Sequence, residues 1–183
     1  MAYRNGTYVA FHANGTDVPV DSDIKYYNLM KAWTKKSDDD FSMINSHDKA
    51  SSVRDSSKRS TLKASLQQRL RNSRNMVLIV GKTTRFDTDW VPFEITQAVD
   101  TFEIPIIAAY TEYEYITMPP ELEAWWPKAL ADRIRNGTAR VIHVPFKKEP
   151  LKAAIDQFDH DNLPTGALNY YERQAYVRWG LIK

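Results

Sequence analysis

The sequence contains no cysteine, and this excludes disulfide bonds and thiol chemistry. It also has little excess charge, because 25 Lys and Arg residues against 23 Asp and Glu residues give a formal net charge of +2. This balance creates no electrostatic preference for nucleic acid or for an anionic membrane surface. The four histidines form no i, i+4 pair and have no cysteine partner, so the sequence indicates no metal site.

Long apolar runs are absent as well. No segment reaches the roughly 18 apolar residues of a membrane-spanning helix, and the N-terminal segment lacks the apolar core of a signal peptide. We therefore expect a cytoplasmic protein that does not contact a membrane. With 183 residues and 43% hydrophobic content, the chain can bury one sizeable core. We expect one α/β domain over residues 1–160, with residues 161–183 as a C-terminal extension packed on it.

Predicted strands and helices alternate along the chain. Short apolar segments predict five strands, at residues 7–11, 41–44, 75–81, 104–109 and 140–144. Apolar residues three and four apart predict helices over residues 24–35 and 89–102, and a helix that begins at residue 61. Two further helices are predicted, one that ends near residue 135 and one over residues 150–158. Ser22 or Asp23 could cap the helix over residues 24–35. The alternation predicts a three-layer, doubly wound, flavodoxin-like sheet of about five parallel strands, with a C-terminal helical extension.

Polar loops follow the first two predicted strands. In open parallel sheets, ligands bind beyond the carboxyl ends of the strands, where these loops lie. Their side chains could hydrogen-bond a ribose or a phosphate, and could equally be ordinary solvated loop residues. The polar side chains of these loops are Asn14, Asp17, Asn45, His47, Asp48, Arg54 and Lys58.

Trp90 and Glu94 are four residues apart in the predicted helix at 89–102, so they lie on one side of it. By the helical period of 3.6 residues, Glu94 lies roughly 60° from the centre of the apolar stripe. This predicts a carboxylate at the border of the core, near the ligand-binding end of the sheet. A glutamate in an early helical turn also has a structural explanation, because the helix dipole stabilises it by about 0.3–1 kcal/mol.

Residues 62–110 combine a leucine-bearing helix, an apolar strand, the sequence Gly-Lys-Thr-Thr at residues 81–84, and W-x-x-x-E at Trp90 and Glu94. In this combination they resemble the TIR domain family. The opening Tyr-Val-Ala-Phe-His at residues 8–12 is similar to the first strand of the family, so the similarity extends over about residues 8–144. Within the family, the pattern resembles the bacterial TIR-like branch that includes the NAD-consuming sensor protein of the Thoeris anti-phage system.

The resemblance implies that Glu94 is the catalytic residue of NAD cleavage at the nicotinamide–ribose bond, giving ADP-ribose or a cyclic form as a signal. NAD is then a substrate, and no cofactor is expected. Trp90 would pack against the substrate or support Glu94, and Phe11, His12 and Asn14 would meet nicotinamide or ribose. We count Asp17, Asn45, His47 and Asp48 as further binding candidates. The implied partners are NAD or a related nucleotide, further copies of the chain, and other TIR-like or effector proteins.

Other functions fit parts of the same pattern. The main alternative is a non-catalytic signalling module, which associates with TIR-like domains or binds a nucleotide without cleaving it. A phospho-acceptor receiver domain has the same topology, but it needs acidic residues where His12, Ala13 and Asn14 stand. Residues 81–83 resemble the end of a Walker loop, but Met76 occupies the position of its first glycine.

Overall fold

A computed structural model describes residues 4–13, 22–35, 43–44 and 56–183. In these residues six strands form one parallel sheet in the order β2-β1-β3-β4-β5-β6. The strands are β1 (Gly6–Ala10), β2 (Met43–Ile44), β3 (Ser73–Val80), β4 (Ile106–Tyr110), β5 (Val141–Pro145) and β6 (Asn169–Tyr170). The first five have the flavodoxin-like order, which confirms the predicted fold class. The sequence did not predict β6.

Six α-helices connect or follow these strands in the described part of the chain. They are α1 (Ile24–Lys35), α2 (Ser56–Arg71), α3 (Trp90–Thr96), α4 (Lys128–Arg135), α5 (Lys148–Gln157) and α6 (Arg173–Arg178). Two 3₁₀ segments, Thr84–Phe86 and Pro119–Trp125, precede α3 and α4. None of the helices in these described ranges has the length and apolar character needed to cross a bilayer.

Only the first part of the predicted helix at residues 89–102 is a regular α-helix, and this part is α3. Residues Gln97–Thr101 form a π-helical turn, in which the N–H of Phe102 donates to the carbonyl of Gln97. The wider turn shifts the helical period by one residue. Phe102 and Ile104, which follow this turn, are both buried in the core, at 9% and 2% exposure.

Two hydrophobic cores lie on opposite faces of the sheet. One contains apolar side chains of α2, α3 and α4, and the other contains those of α1 and α5. Successive strand residues point to opposite faces. Tyr8 and Ala10 therefore belong to the α2–α3–α4 core, whereas Val9 and Phe11 belong to the α1–α5 core. This alternation decides which side chains can reach α3.

A chain of hydrogen bonds joins β4 and β5 to the C-terminal residues. His143 donates through Nε2 to the carbonyl of Ala167, at 2.9 Å, so its Nδ1 accepts from the hydroxyl of Tyr110, at 2.7 Å. Trp126 Nε1 in turn donates to the Tyr110 oxygen, at 2.8 Å. Burial lowers the pKa of His143 to about 4, which keeps the ring neutral in this arrangement. Further along, the hydroxyl of the fully buried Tyr176 donates to the carbonyl of Ile116.

Candidate functional site

Helix α3 begins at a polar turn beside the 3₁₀ segment that follows β3. The carboxylate of Asp87 accepts from the backbone N–H groups of Asp89 and Trp90, at 2.8 and 3.0 Å. These bonds satisfy donors that a helix leaves free at its first turn. Pro92 fits the same turn because it needs no N–H partner there. The local sequence therefore fixes where α3 starts.

Glu94 is fully buried. The sequence placed it at the border of the core, and this expectation of partial burial was wrong. The reason is a non-local partner, because the hydroxyl of Tyr8 on β1 donates to Glu94 Oε1 at 2.5 Å. Burial is the main cause that raises the pKa of Tyr8 well above its ordinary value, and the negative charge of Glu94 adds to it. The phenol therefore stays protonated and serves as a fixed donor to the carboxyl group.

Trp90 is buried beside Glu94, with 7% of its surface exposed. The guanidinium of Arg59 lies 5.1 Å from the centre of its indole ring and also pairs with Asp89. Among the residues that the structure describes, none accepts a hydrogen bond from the buried indole Nε1 of Trp90. An unsatisfied buried donor costs about 1–3 kcal/mol. This N–H group is therefore a buried donor without an acceptor among the described residues.

A second polar cluster lies where β1 and β3 end side by side. In a 2-1-3-4-5 sheet this is the point at which crossovers diverge and ligands commonly bind. Nδ1 of His12 lies 3.0 Å from the hydroxyl oxygen of Thr83. Thr84 donates its hydroxyl to Asp23 Oδ2 at 3.0 Å and accepts from the N–H of Gly81 at 2.8 Å. The strand ends and the start of α1 are thereby joined.

Asp23 was missed as a site residue, because the sequence indicated it only as a cap of α1. It is 6% exposed, and burial raises its pKa to about 6 although the hydrogen bond from Thr84 acts against this. No local sequence pattern identifies it, because its burial depends on the close approach of Gly81, the residue after β3, where a Cβ would lie 2.3 Å from Asp23 Oδ1. A cavity of about 210 Å³ opens here, lined by Ser22, Asp23, Lys25, Tyr26, Lys82, Thr83, Thr111 and Glu112.

The predicted site residues do not all lie together in the structure. Trp90 and Glu94 lie together in the α2–α3–α4 core, whereas Phe11 lies on the opposite face of the sheet and packs against Tyr27, with ring centres 5.2 Å apart. His12 lies beyond the carboxyl end of β1, beside Thr83. Glu94 does not line the 210 Å³ cavity. The other binding candidates lie outside the described residues: Asn14, Asp17, Asn45, His47 and Asp48.

A family model described as Thoeris protein ThsB, TIR-like domain, matches residues 8–115. The match covers more than half of the chain. It begins at Tyr8, includes the whole of β3 and α3, and ends in the loop after β4. Tyr8, Trp90 and Glu94 all lie within it, whereas β5 and the C-terminal residues lie beyond it.

Proposed function

Since the chain belongs to the TIR-like domain family of the Thoeris protein ThsB, we propose that this defence-related signalling protein cleaves NAD. The bond that breaks is the one between nicotinamide and ribose, and the product is ADP-ribose or a cyclic form of it. Glu94 is the catalytic residue in this proposal. Phe11, His12, Asn14, Asp17, Asn45, His47 and Asp48 remain predicted contacts of the substrate.

The observation that carries the proposal is the buried Glu94 carboxyl group, fixed by Tyr8 on a helix that also presents Trp90. Breaking the nicotinamide–ribose bond leaves an oxocarbenium-like ribose, and a nearby anion stabilises its positive charge. Nicotinamide departs with the bonding electron pair as a neutral molecule, so no general acid is needed. The ribose carbon then bonds to water, which loses a proton and gives ADP-ribose, or to a nucleophilic atom of the same molecule, which gives the cyclic form. Away from water, the charge of a carboxylate acts on its surroundings more strongly than it would at the surface.

Substrate access requires a structural change, because Glu94 has no exposed surface. We place this change in the activated protein, where self-association would open a path to α3. Trp90 supports the idea that a ligand enters here, since its unsatisfied Nε1 lies four residues before Glu94 on the same helix. In this proposal the indole N–H donates to a ribose hydroxyl or to a phosphate oxygen once the path is open.

The first prediction concerns Glu94→Gln. Glutamine keeps the size of the side chain and an oxygen that can accept from Tyr8, so the variant should fold. It lacks the negative charge, and we expect nicotinamide release from NAD to fall by about a hundredfold or more. Release is followed by chromatography with the purified protein at high concentration.

Glu123→Gln is the matched control for this substitution. Glu123 is half exposed and pairs with Arg135 at the surface, so the same chemical change should leave the rate as it is. Equal rates for Glu94→Gln and wild type would contradict the catalytic role of Glu94.

The burial of Glu94 also favours a second candidate, a non-catalytic signalling module. A carboxyl group held by Tyr8 inside a core can be explained by the fold alone. A module of this kind would bind a nucleotide, or associate with TIR-like partners, without turnover. Its association, measured by analytical ultracentrifugation, and its NAD binding, measured by calorimetry, would be the same in wild type and Glu94→Gln, and no nicotinamide would form.

A further inference from the structure

Tyr8 is held in the sheet by strands on both sides. It lies on β1, paired in register with Ile44 of β2 on one side and with Met76 of β3 on the other. Its side chain is fully buried on the face that α2 and α3 cover. A side chain held by two neighbouring strands and a close-packed core has little freedom to move. The hydroxyl of Tyr8 therefore has a fixed position relative to α3.

The bond from Tyr8 to Glu94 has only one possible direction when Glu94 is charged. An ionised carboxylate only accepts hydrogen bonds, and the phenol remains protonated, so the Tyr8 hydroxyl donates to Glu94 Oε1. A hydrogen bond to the ionised form favours that form over the protonated one. The same bond also fixes the rotation of the carboxyl group, since Oε1 is held at 2.5 Å from a rigid donor.

We propose that Tyr8 is a positioning residue for catalysis, which orients the Glu94 carboxylate and favours its charged form. This inference rests on the proposed function, because it assigns Tyr8 a part in NAD cleavage. Tyr8 acts through Glu94 and has no contact with substrate in this account. This role differs from a space-filling role, because a phenylalanine would fill the same space but would have no hydroxyl to donate to Glu94.

Other charged and titratable groups around the pair act on it from different elements. Arg69 on α2 is close enough that its positive charge lowers the pKa of Tyr8, while Tyr27 on α1 raises it slightly. Arg59, which stacks on Trp90, adds a second positive charge near α3. Both cations remain when the Tyr8 hydroxyl is removed. We therefore expect a measurable but partial effect.

The test is Tyr8→Phe, assayed for nicotinamide release over a range of pH. Loss of one hydrogen bond to a charged group should lower kcat at neutral pH by about tenfold to a hundredfold. KM should change by less than about twofold, because the hydroxyl does not touch substrate. The acidic limb of the kcat profile should move to higher pH by about one unit, since the charged carboxylate has lost a donor.

Tyr110→Phe is the matched control. Tyr110 is also fully buried in the same core, and its hydroxyl bonds to Trp126 and His143, away from Glu94. We expect it to lose stability without moving the acidic limb. In the Glu94→Gln background, Tyr8→Phe should cause no further loss of rate, because no carboxylate remains to be held.

The outcomes separate the two proposals. If wild type cleaves NAD and Tyr8→Phe keeps the acidic limb of the wild type, the positioning role is overturned and the proposed function stands. It is equally overturned if Tyr110→Phe moves the limb as far as Tyr8→Phe does. If wild type releases no nicotinamide in any state of association, the proposed function fails, and the role of Tyr8 in catalysis fails with it.

Discussion

The site is formed by contacts between residues that lie far apart in the sequence. Trp90 and Glu94 were predicted from their spacing, and both are found on α3. Tyr8, the partner of Glu94, is 86 positions away from it, and no local pattern predicts which residue of β1 meets which residue of α3. Phe11 lies on the sheet face opposite Glu94, because it is three residues from Tyr8 and successive strand residues point to opposite faces. This separation follows only once Tyr8 is known to meet Glu94. Asp23 could be identified as a site residue only from the fold, since its burial depends on Gly81 and Thr84.

At the residue scale, Gly81→Ala tests how tightly Asp23 is held. The new Cβ would lie 2.3 Å from Asp23 Oδ1, and Asp23 cannot easily move because Thr84 binds its other oxygen. We expect a loss of about 1–3 kcal/mol in the free energy of unfolding, measured by urea denaturation.

Two further variants check the cause of this loss. Gly166→Ala adds a Cβ that meets nothing closer than Asn169 Oδ1 at 3.9 Å, so it should be tolerated. Asp23→Ala should reduce the penalty of Gly81→Ala, because the clashing carboxylate is gone. A Gly81→Ala variant as stable as wild type would show that the carboxylate is free to shift.

At the scale of elements, the sequence predicted the five main strands and most helices, because their apolar patterns follow from burial on a covered sheet. Strand β6 was not predicted, since Asn169 and Tyr170 show no apolar alternation, and Asn169 is half-buried whereas Tyr170 is exposed. Pairing with β5, rather than local preference, makes these residues a strand. The division into residues 1–160 and 161–183 remains a prediction, as does the cytoplasmic location.

The attachment of the C-terminal elements depends on the hydrogen-bond chain through His143. His143→Ala removes the bond to Ala167 and leaves the Tyr110 hydroxyl without its acceptor. We expect faster amide hydrogen exchange in β6 and α6, together with a stability loss of about 2–4 kcal/mol. Amides in α3 serve as the internal reference and should exchange only as much faster as the global loss requires. Unchanged exchange at residues 169–178 would contradict this account of how the tail is held.

At the scale of the whole molecule, two buried groups give stability opposite dependences on pH. Asp23 has a pKa of about 6, above its ordinary 3.8, so the folded state binds its proton more tightly and loses stability as pH rises from about 4 to 6. His143 has a pKa of about 4, below its ordinary 6.5, so the unfolded state binds its proton more tightly and stability rises from about pH 4 to 6.5. Each effect amounts to about 3 kcal/mol.

We therefore expect the two contributions nearly to cancel in wild type between pH 4 and 6. Asp23→Asn removes one of them, and its free energy of unfolding should rise relative to wild type by about 3 kcal/mol across this range. Urea denaturation at several pH values measures the difference. Asp100→Asn is a suitable control, because pairing with Arg133 lowers the pKa of Asp100 and moves its effect below this range. Parallel curves for wild type and Asp23→Asn would contradict the assignment.

The central claim is that Glu94, which is buried in this structure, acts as the catalytic anion of NAD cleavage once activation opens a path to it. The most direct measurement is the rate of nicotinamide release per protomer over protein concentrations that span self-association, for wild type and Glu94→Gln. We predict a rate that rises with association in wild type and stays at background in the variant. Background release by wild type at every concentration, or equal release by both proteins, would contradict the account.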